Sequence, residues 1–113
     1  MPAMILHLVV LSDWTEASQH SDYRPASLAS EGFIHCSTPN QVAEVANERF
    51  SAQHGMGLLV IDENLVEPEV RWEDSSGQGQ DFPHIYGALN RAAVVDVMPF
   101  EPDADGVFQA PVL

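Results

Sequence analysis

Two nearly continuous apolar runs dominate the pattern of the chain. Met4-Ile-Leu-His-Leu-Val-Val-Leu11 and Leu58-Leu-Val-Ile61 are short and β-branched, which predicts buried strands, the first of them central in its sheet. Alternation puts Ile5, His7 and Val9 on one face of that strand. Asp13 followed by Glu16 is a capping-box spacing and predicts a short helical turn carrying Trp14 and Ala17. The polar stretch 18–24 follows. Pro25-Ala-Ser-Leu-Ala-Ser-Glu31, with Gly32 after it, has the proline-first, glycine-last asymmetry of a short helix.

Phe33-Ile-His-Cys-Ser37 predicts a second strand. Thr38, Pro39 and Gln41 then supply the cap, first position and capping-box partner of the clearest helix. Val42, Val45, Ala46, Arg49, Phe50 and Gln53 recur at spacings of three and four on its inner face, and Gly55 and Gly57 close it. Val70–Glu73 and Ala92–Met98 read as further strands, and order resumes between them at Phe82–Tyr86. The 74–81 segment has no apolar anchor and is expected to be flexible; 101–113 reads as a proline-bearing tail. Strands and helices are segregated rather than alternating, which favours a single α+β domain over residues 1–113, with two to three short helices.

Composition changes the picture in one respect. The 113 residues carry 17 Asp and Glu against 4 Arg and no Lys, for a net charge of −13. Such a chain repels phosphate backbones and anionic lipid, so nucleic-acid and membrane partners are not expected. The single cysteine, Cys36, fits a reducing compartment, and no run approaches the length of a membrane span. A cytoplasmic protein is expected.

The candidate chemistry lies on or beside the strands. His7 interrupts an apolar strand. His35 stands at a strand-to-helix junction with Ser37 and Thr38, where helix N–H groups favour oxygen-rich ligands. Trp72, Glu73, His84 and Tyr86 flank the 74–81 loop, where a small-molecule site would be covered. Single histidines and aromatics of this kind are more often core residues; as a set they point to one cleft. His35 and Cys36 are strand neighbours on opposite faces, which argues against a Cys–His nucleophile. No His-x-x-x-His or zinc-ligand spacing occurs, although a site using His7, His35 and His84 is an alternative.

Trp14, Tyr23, Ser27-Leu28, Glu31-Gly-Phe-Ile-His-Cys-Ser-Thr38, Gln41, Arg71-Trp-Glu73 and Phe82-Pro-His-Ile-Tyr-Gly87 together resemble the bacterial family called domain of unknown function 952, over residues 5 to about 100. That family has no established activity. It in turn resembles the ADP-ribosyltransferase-like superfamily, which implies a small split antiparallel sheet and NAD as a substrate; no other cofactor is implied. The segment from Glu31 to Asp62 looks like the middle of the tRNA 2′-phosphotransferase branch. The resemblance implies that His7 and His35 hold ribose hydroxyls and that Glu73, with His35, is catalytic. Tyr23, Trp72 or Tyr86 would stack on a ring, with Ser37, Thr38 and His84 in the pocket and Arg24 and Arg71 each available to one phosphate. That branch grips phosphates with several arginines and carries a basic RNA-binding domain. Neither is present here, so the implied ligand is a nucleotide-like small molecule.

Catalysis and simple binding differ in where Glu73 should lie. A carboxylate beside His35 suits cleavage, because it would stabilise the oxocarbenium charge that develops as nicotinamide leaves. A carboxylate turned away suits a binding module.

Overall fold

The computed structural model describes residues 4–17, 22–74, 77 and 79–113. Strand β1 (Met4–Val10) pairs antiparallel with β4 (Met56–Asp62), in register from Met4 opposite Asp62 to Val10 opposite Met56. Strand β8 (Val94–Pro99) pairs with the other side of β4. The central strand of this sheet is therefore β4, and its first six residues are all buried. The expected central place of β1 is corrected: among the described residues its outer edge meets only Ser37, through the Leu6–Ser37 bridge. A second antiparallel sheet has the order β3 (Ile34–His35), β6 (Phe82–Tyr86), β5 (Glu69–Glu73). Strands β2 (Asp22–Tyr23) and β7 (Leu89–Asn90) form a separate antiparallel pair.

Among the described residues, three short α-helices complete the α+β domain. Helix α1 (Leu11–Ala17) continues directly from β1, because the Leu11 N–H finds the Gly55 carbonyl at 2.9 Å. Asp13 therefore lies inside the helix rather than capping it, where its charge suits the first turn. Helix α2 (Ala26–Glu31) begins after Pro25 and ends at Gly32, whose φ of 85° is the left-handed cap that glycine adopts without strain. Helix α3 (Val42–Arg49) starts three residues after Pro39. The Gln41 and Val42 N–H groups both donate to the Thr38 carbonyl, and the Gln41 side-chain oxygen accepts from the Thr38 N–H, so a turn takes up the predicted first helical positions. None of these helices, among the described residues, is long and apolar enough to cross a membrane.

The β1–β4–β8 sheet separates two apolar clusters. Ile5, Val9, Leu59 and Ile61 pack with Tyr23, Ile34, Cys36, Ile85 and Leu89 on one side. Leu6, Leu58 and Val60 pack with Val42 and Ala46 of α3 and with Phe100 and Phe108 on the other. The last of these corrects the view of 101–113 as a tail, since Phe108 is only 2% exposed. Asn47 of α3 fixes that segment, donating to the Phe108 carbonyl at 2.9 Å and accepting from its N–H at 2.7 Å. Asn47→Ala is expected to cost about 2 kcal/mol, because it strands two backbone groups of a buried anchor. Urea unfolding measures this, and a loss below about 0.5 kcal/mol would show that the anchor holds without the amide.

Part of the expected flexible loop, residues 75, 76 and 78, lies outside the described residues, as do 18–21 of the polar stretch. The far end of the loop is tied down: the Gln41 amide donates to the Asp81 carbonyl at 2.8 Å and to the Gln80 side chain at 3.2 Å.

Candidate functional site

Past the Leu6–Ser37 bridge, β1 and the chain after β3 part. The gap is a cavity of about 310 Å³. His7 to Val10 of β1 and Asp13 of α1 form one wall. Tyr23, Pro25, and Ser27 and Glu31 of α2 form a second, with His35 and Ser37 at the base and Val45, Arg49, Phe50 and Met56 closing the far side. The volume suits a small molecule.

His7 is 7% exposed and both ring nitrogens are engaged. Its Nδ1 lies 2.6 Å from the His35 carbonyl, which can only accept, so the proton sits on Nδ1. Its Nε2 then accepts from the Tyr23 hydroxyl at 3.1 Å. Burial pushes the His7 pKa down to about 4, so the ring is neutral at pH 7. Burial likewise pushes the Tyr23 hydroxyl up to about 12, with the nearby Asp13 charge adding to the rise. Tyr23 is braced edge-on by both His7 and Trp14, at 5.5 and 5.4 Å between ring centres. Its hydroxyl proton is turned to His7, which leaves its oxygen as an acceptor.

His35 reaches the cavity from β3 and donates from Nε2 to Glu31 Oε2 at 2.8 Å. This hydrogen bond, together with the surrounding positive charge, holds the Glu31 carboxyl below its usual range. Ser37 is 5% exposed; its backbone completes the bridge to Leu6, and its hydroxyl makes no hydrogen bond among the described residues. Cys36 points the other way into the core, where burial pushes its thiol up and leaves it unreactive at neutral pH.

The remaining predicted residues form a neighbouring cluster on β5 and β6, outside the cavity lining. Glu73 Oε1 accepts from His84 Nδ1 at 2.9 Å and from the Tyr86 hydroxyl at 2.5 Å. Tyr86 first, then His84, holds the Glu73 carboxyl low. The His84 ring stacks on Phe33 at 4.2 Å and meets the His35 ring edge-on at 5.4 Å. His84 thus contacts both the cavity histidine and Glu73, while Glu73 itself is turned to His84 and Tyr86. Arg71 lies over the Tyr86 ring and pairs with Glu69, and Trp72 is 42% exposed with its N–H on Glu63. Thr38 belongs to the turn before α3. Arg24 pairs with Asp22 on the rim of an adjoining cavity of about 320 Å³, which shares Asp13, Tyr23 and Pro25 with the first.

His7, His35 and His84 are therefore linked in a chain of contacts, and only His7 and His35 open on the cavity. No group of three or more His, Cys, Asp or Glu among the described residues is disposed to hold a metal ion. Three charged cavity residues escaped the sequence reading of the site: Asp13, Glu31 and Arg49. The capping-box spacing of Asp13 hides its place on the cavity. An arginine among the apolar positions of the α3 face was the available signal for Arg49, and the Glu31–His35 spacing of four was the signal for the carboxylate.

The model for proteins of unknown function, DUF952, matches residues 8–97. No curated protein matches. The crystal structure of protein CC0527 from Caulobacter crescentus is similar, with a TM-score of 0.84 and 30% identity over 95% of this chain and 94% of that one. The solution NMR structure of CC0527 has a TM-score of 0.82 and 31% identity over 94% and 91%. With most of its length inside the matched region, this chain belongs to the DUF952 family of proteins of unknown function.

Proposed function

We propose that this is a cytoplasmic small-molecule-binding protein whose cleft takes the ribosyl part of a nucleotide of the NAD or ADP-ribose class. The observation that carries this is the His7–Tyr23 pair at the cavity wall. A neutral imidazole with a fixed tautomer turns the tyrosine hydroxyl inward and leaves its oxygen free to accept. The second oxygen of Glu31 is another acceptor on the same cavity. Two acceptors suit the two hydroxyls of a ribose diol. The resemblance to ADP-ribosyltransferase-like domains supports the same ligand class, as does the parting of antiparallel strands beside a histidine of the first strand.

Binding is favoured over cleavage because Glu73 is occupied by His84 and Tyr86 and does not line the cavity. Titration of the protein with NAD and with ADP-ribose, followed by amide NMR, is expected to shift residues of β1 and β3. Tyr23→Phe should weaken binding about tenfold, the effect of one lost hydrogen bond to a buried partner. Incubation with NAD should release no nicotinamide. Release abolished by Glu73→Gln would instead establish a transferase-type reaction with Glu73 and His35 as its catalytic pair. Absence of any shift at millimolar nucleotide would refute the ribosyl ligand.

A further inference from the structure

Strand β1 sends its main-chain groups alternately to its two sides. The Leu11 N–H donates to the Gly55 carbonyl at 2.9 Å, whereas the N–H and C=O of Leu6 both meet Ser37 at 2.7 Å. Odd-numbered residues of β1 therefore bond to β4, and even-numbered ones face away from it. Beyond the bridge the next residue facing outward is Leu8, and it lines the cavity. Among the described residues, no group meets its N–H or its C=O. The gap has a cause. In the antiparallel register that Leu6 and Ser37 set, Leu8 would face His35. The His35 carbonyl is taken instead by His7 Nδ1 at 2.6 Å, and β3 is held on its other side by β6. The ladder stops there, with one donor and one acceptor of the strand edge turned to the cavity. Such groups pair with water until a ligand offers the same bonds.

We infer that the main chain of Leu8 reads the adenine edge of the ligand, its N–H donating to a ring nitrogen and its C=O accepting from the exocyclic amine. This rests on the ribosyl reading above and deepens it, because adenosine is the part that NAD and ADP-ribose share. An extended residue holds its N–H and C=O side by side, and adenine presents an acceptor and a donor side by side. Val10, Val45, Phe50 and Met56 give the cavity apolar surface for the faces of the ring. Tyr23 and Glu31 remain on the ribose.

Amide exchange and calorimetric titration with adenosine, purine riboside, methyl ribofuranoside, free adenine and nicotinamide riboside test the assignment. Without ligand, the Leu8 amide should exchange about tenfold faster than those of His7 and Val9, which bond to β4. Saturating adenosine should slow Leu8 about tenfold, and methyl ribofuranoside should leave it unchanged. Purine riboside lacks the amine and should bind about tenfold more weakly than adenosine. Leu8→Pro deletes an N–H that β4 does not use, and should cut the preference for adenosine over methyl ribofuranoside about tenfold. Should that variant fail to fold, the exchange of Leu8 in the parent protein decides. Equal affinity for adenosine and methyl ribofuranoside would overturn the base subsite and leave the ribosyl reading standing. So would a Leu8 amide unmoved by bound adenosine, purine riboside binding as tightly as adenosine, or nicotinamide riboside binding more tightly. Free adenine protecting Leu8 while no riboside binds would sustain the base subsite and remove the ribosyl reading. No response to any of these compounds would overturn both.

Discussion

Acidification from pH 7 to about 4 is expected to remove about 3 kcal/mol of stability through His7 alone. In the unfolded chain this imidazole titrates near 6.5, whereas burial in the native state holds it at about 4. Above pH 6.5 both states are neutral there and nothing is lost. Between the two values the unfolded chain takes up a proton that the native state refuses, so stability falls as pH falls, by about 1.4 kcal/mol per unit. The carboxylates held low by their partners, Glu31 and Glu73 among them, begin to lose their contribution only as the pH drops through the unfolded value of 4.5. Urea denaturation at half-unit intervals from pH 7 to 4.5 measures the slope, with His7→Gln as the non-titrating control. The same slope in both proteins would mean that His7 is not the group responsible. Because a domain of this size commonly has only 5–15 kcal/mol in hand, the loss should also appear as a lower melting temperature.

His84→Ala should be the most disruptive single change near the site, at about 3 kcal/mol. The ring is 2% exposed and stacked on Phe33 at an interplanar angle of 20°, so its removal opens a cavity in a close-packed aromatic layer. It also takes from Glu73 one of two hydrogen-bond donors, leaving Tyr86 to hold the carboxylate. The His35 ring loses its edge contact at the same time, so affinity in the cavity should fall although His84 does not line it. Chemical denaturation measures the first effect and nucleotide titration the second. A variant within 1 kcal/mol of the parent would show that Phe33 and His35 pack equally well without the imidazole.

Much of this arrangement was legible where local chemistry decides structure. Pro25 and Gly32 bracket α2 as their backbone preferences require, and the apolar run at Leu58–Ile61 lies at the heart of a sheet. Residues that depend on register were less accessible. Glu73 is directly opposite Phe82, and His84 is its diagonal neighbour two positions further along. Only a known strand pairing brings that carboxylate to that ring. The bridge that leaves β1 at the edge of its sheet is equally non-local, since Leu6 and Ser37 meet from different parts of the chain. Phe108 was hidden for another reason. Surrounded by polar and small residues, it shows no periodicity, and its burial depends on an asparagine 61 positions away. Arg49 stands on an apolar helical face in the sequence, but its place on the cavity beside Glu31 depends on the packing of α3.

The bridge between the two three-stranded sheets has a mechanical consequence. Leu6 and Ser37 exchange a reciprocal pair of 2.7 Å hydrogen bonds immediately beside the opening, with His7 next to one residue and Cys36 next to the other. That pair works as the spine of a book whose covers are the sheets. Spreading the covers to admit a wider guest must first stretch the spine, so the width of the mouth and the lifetime of those two amide protons are one and the same variable.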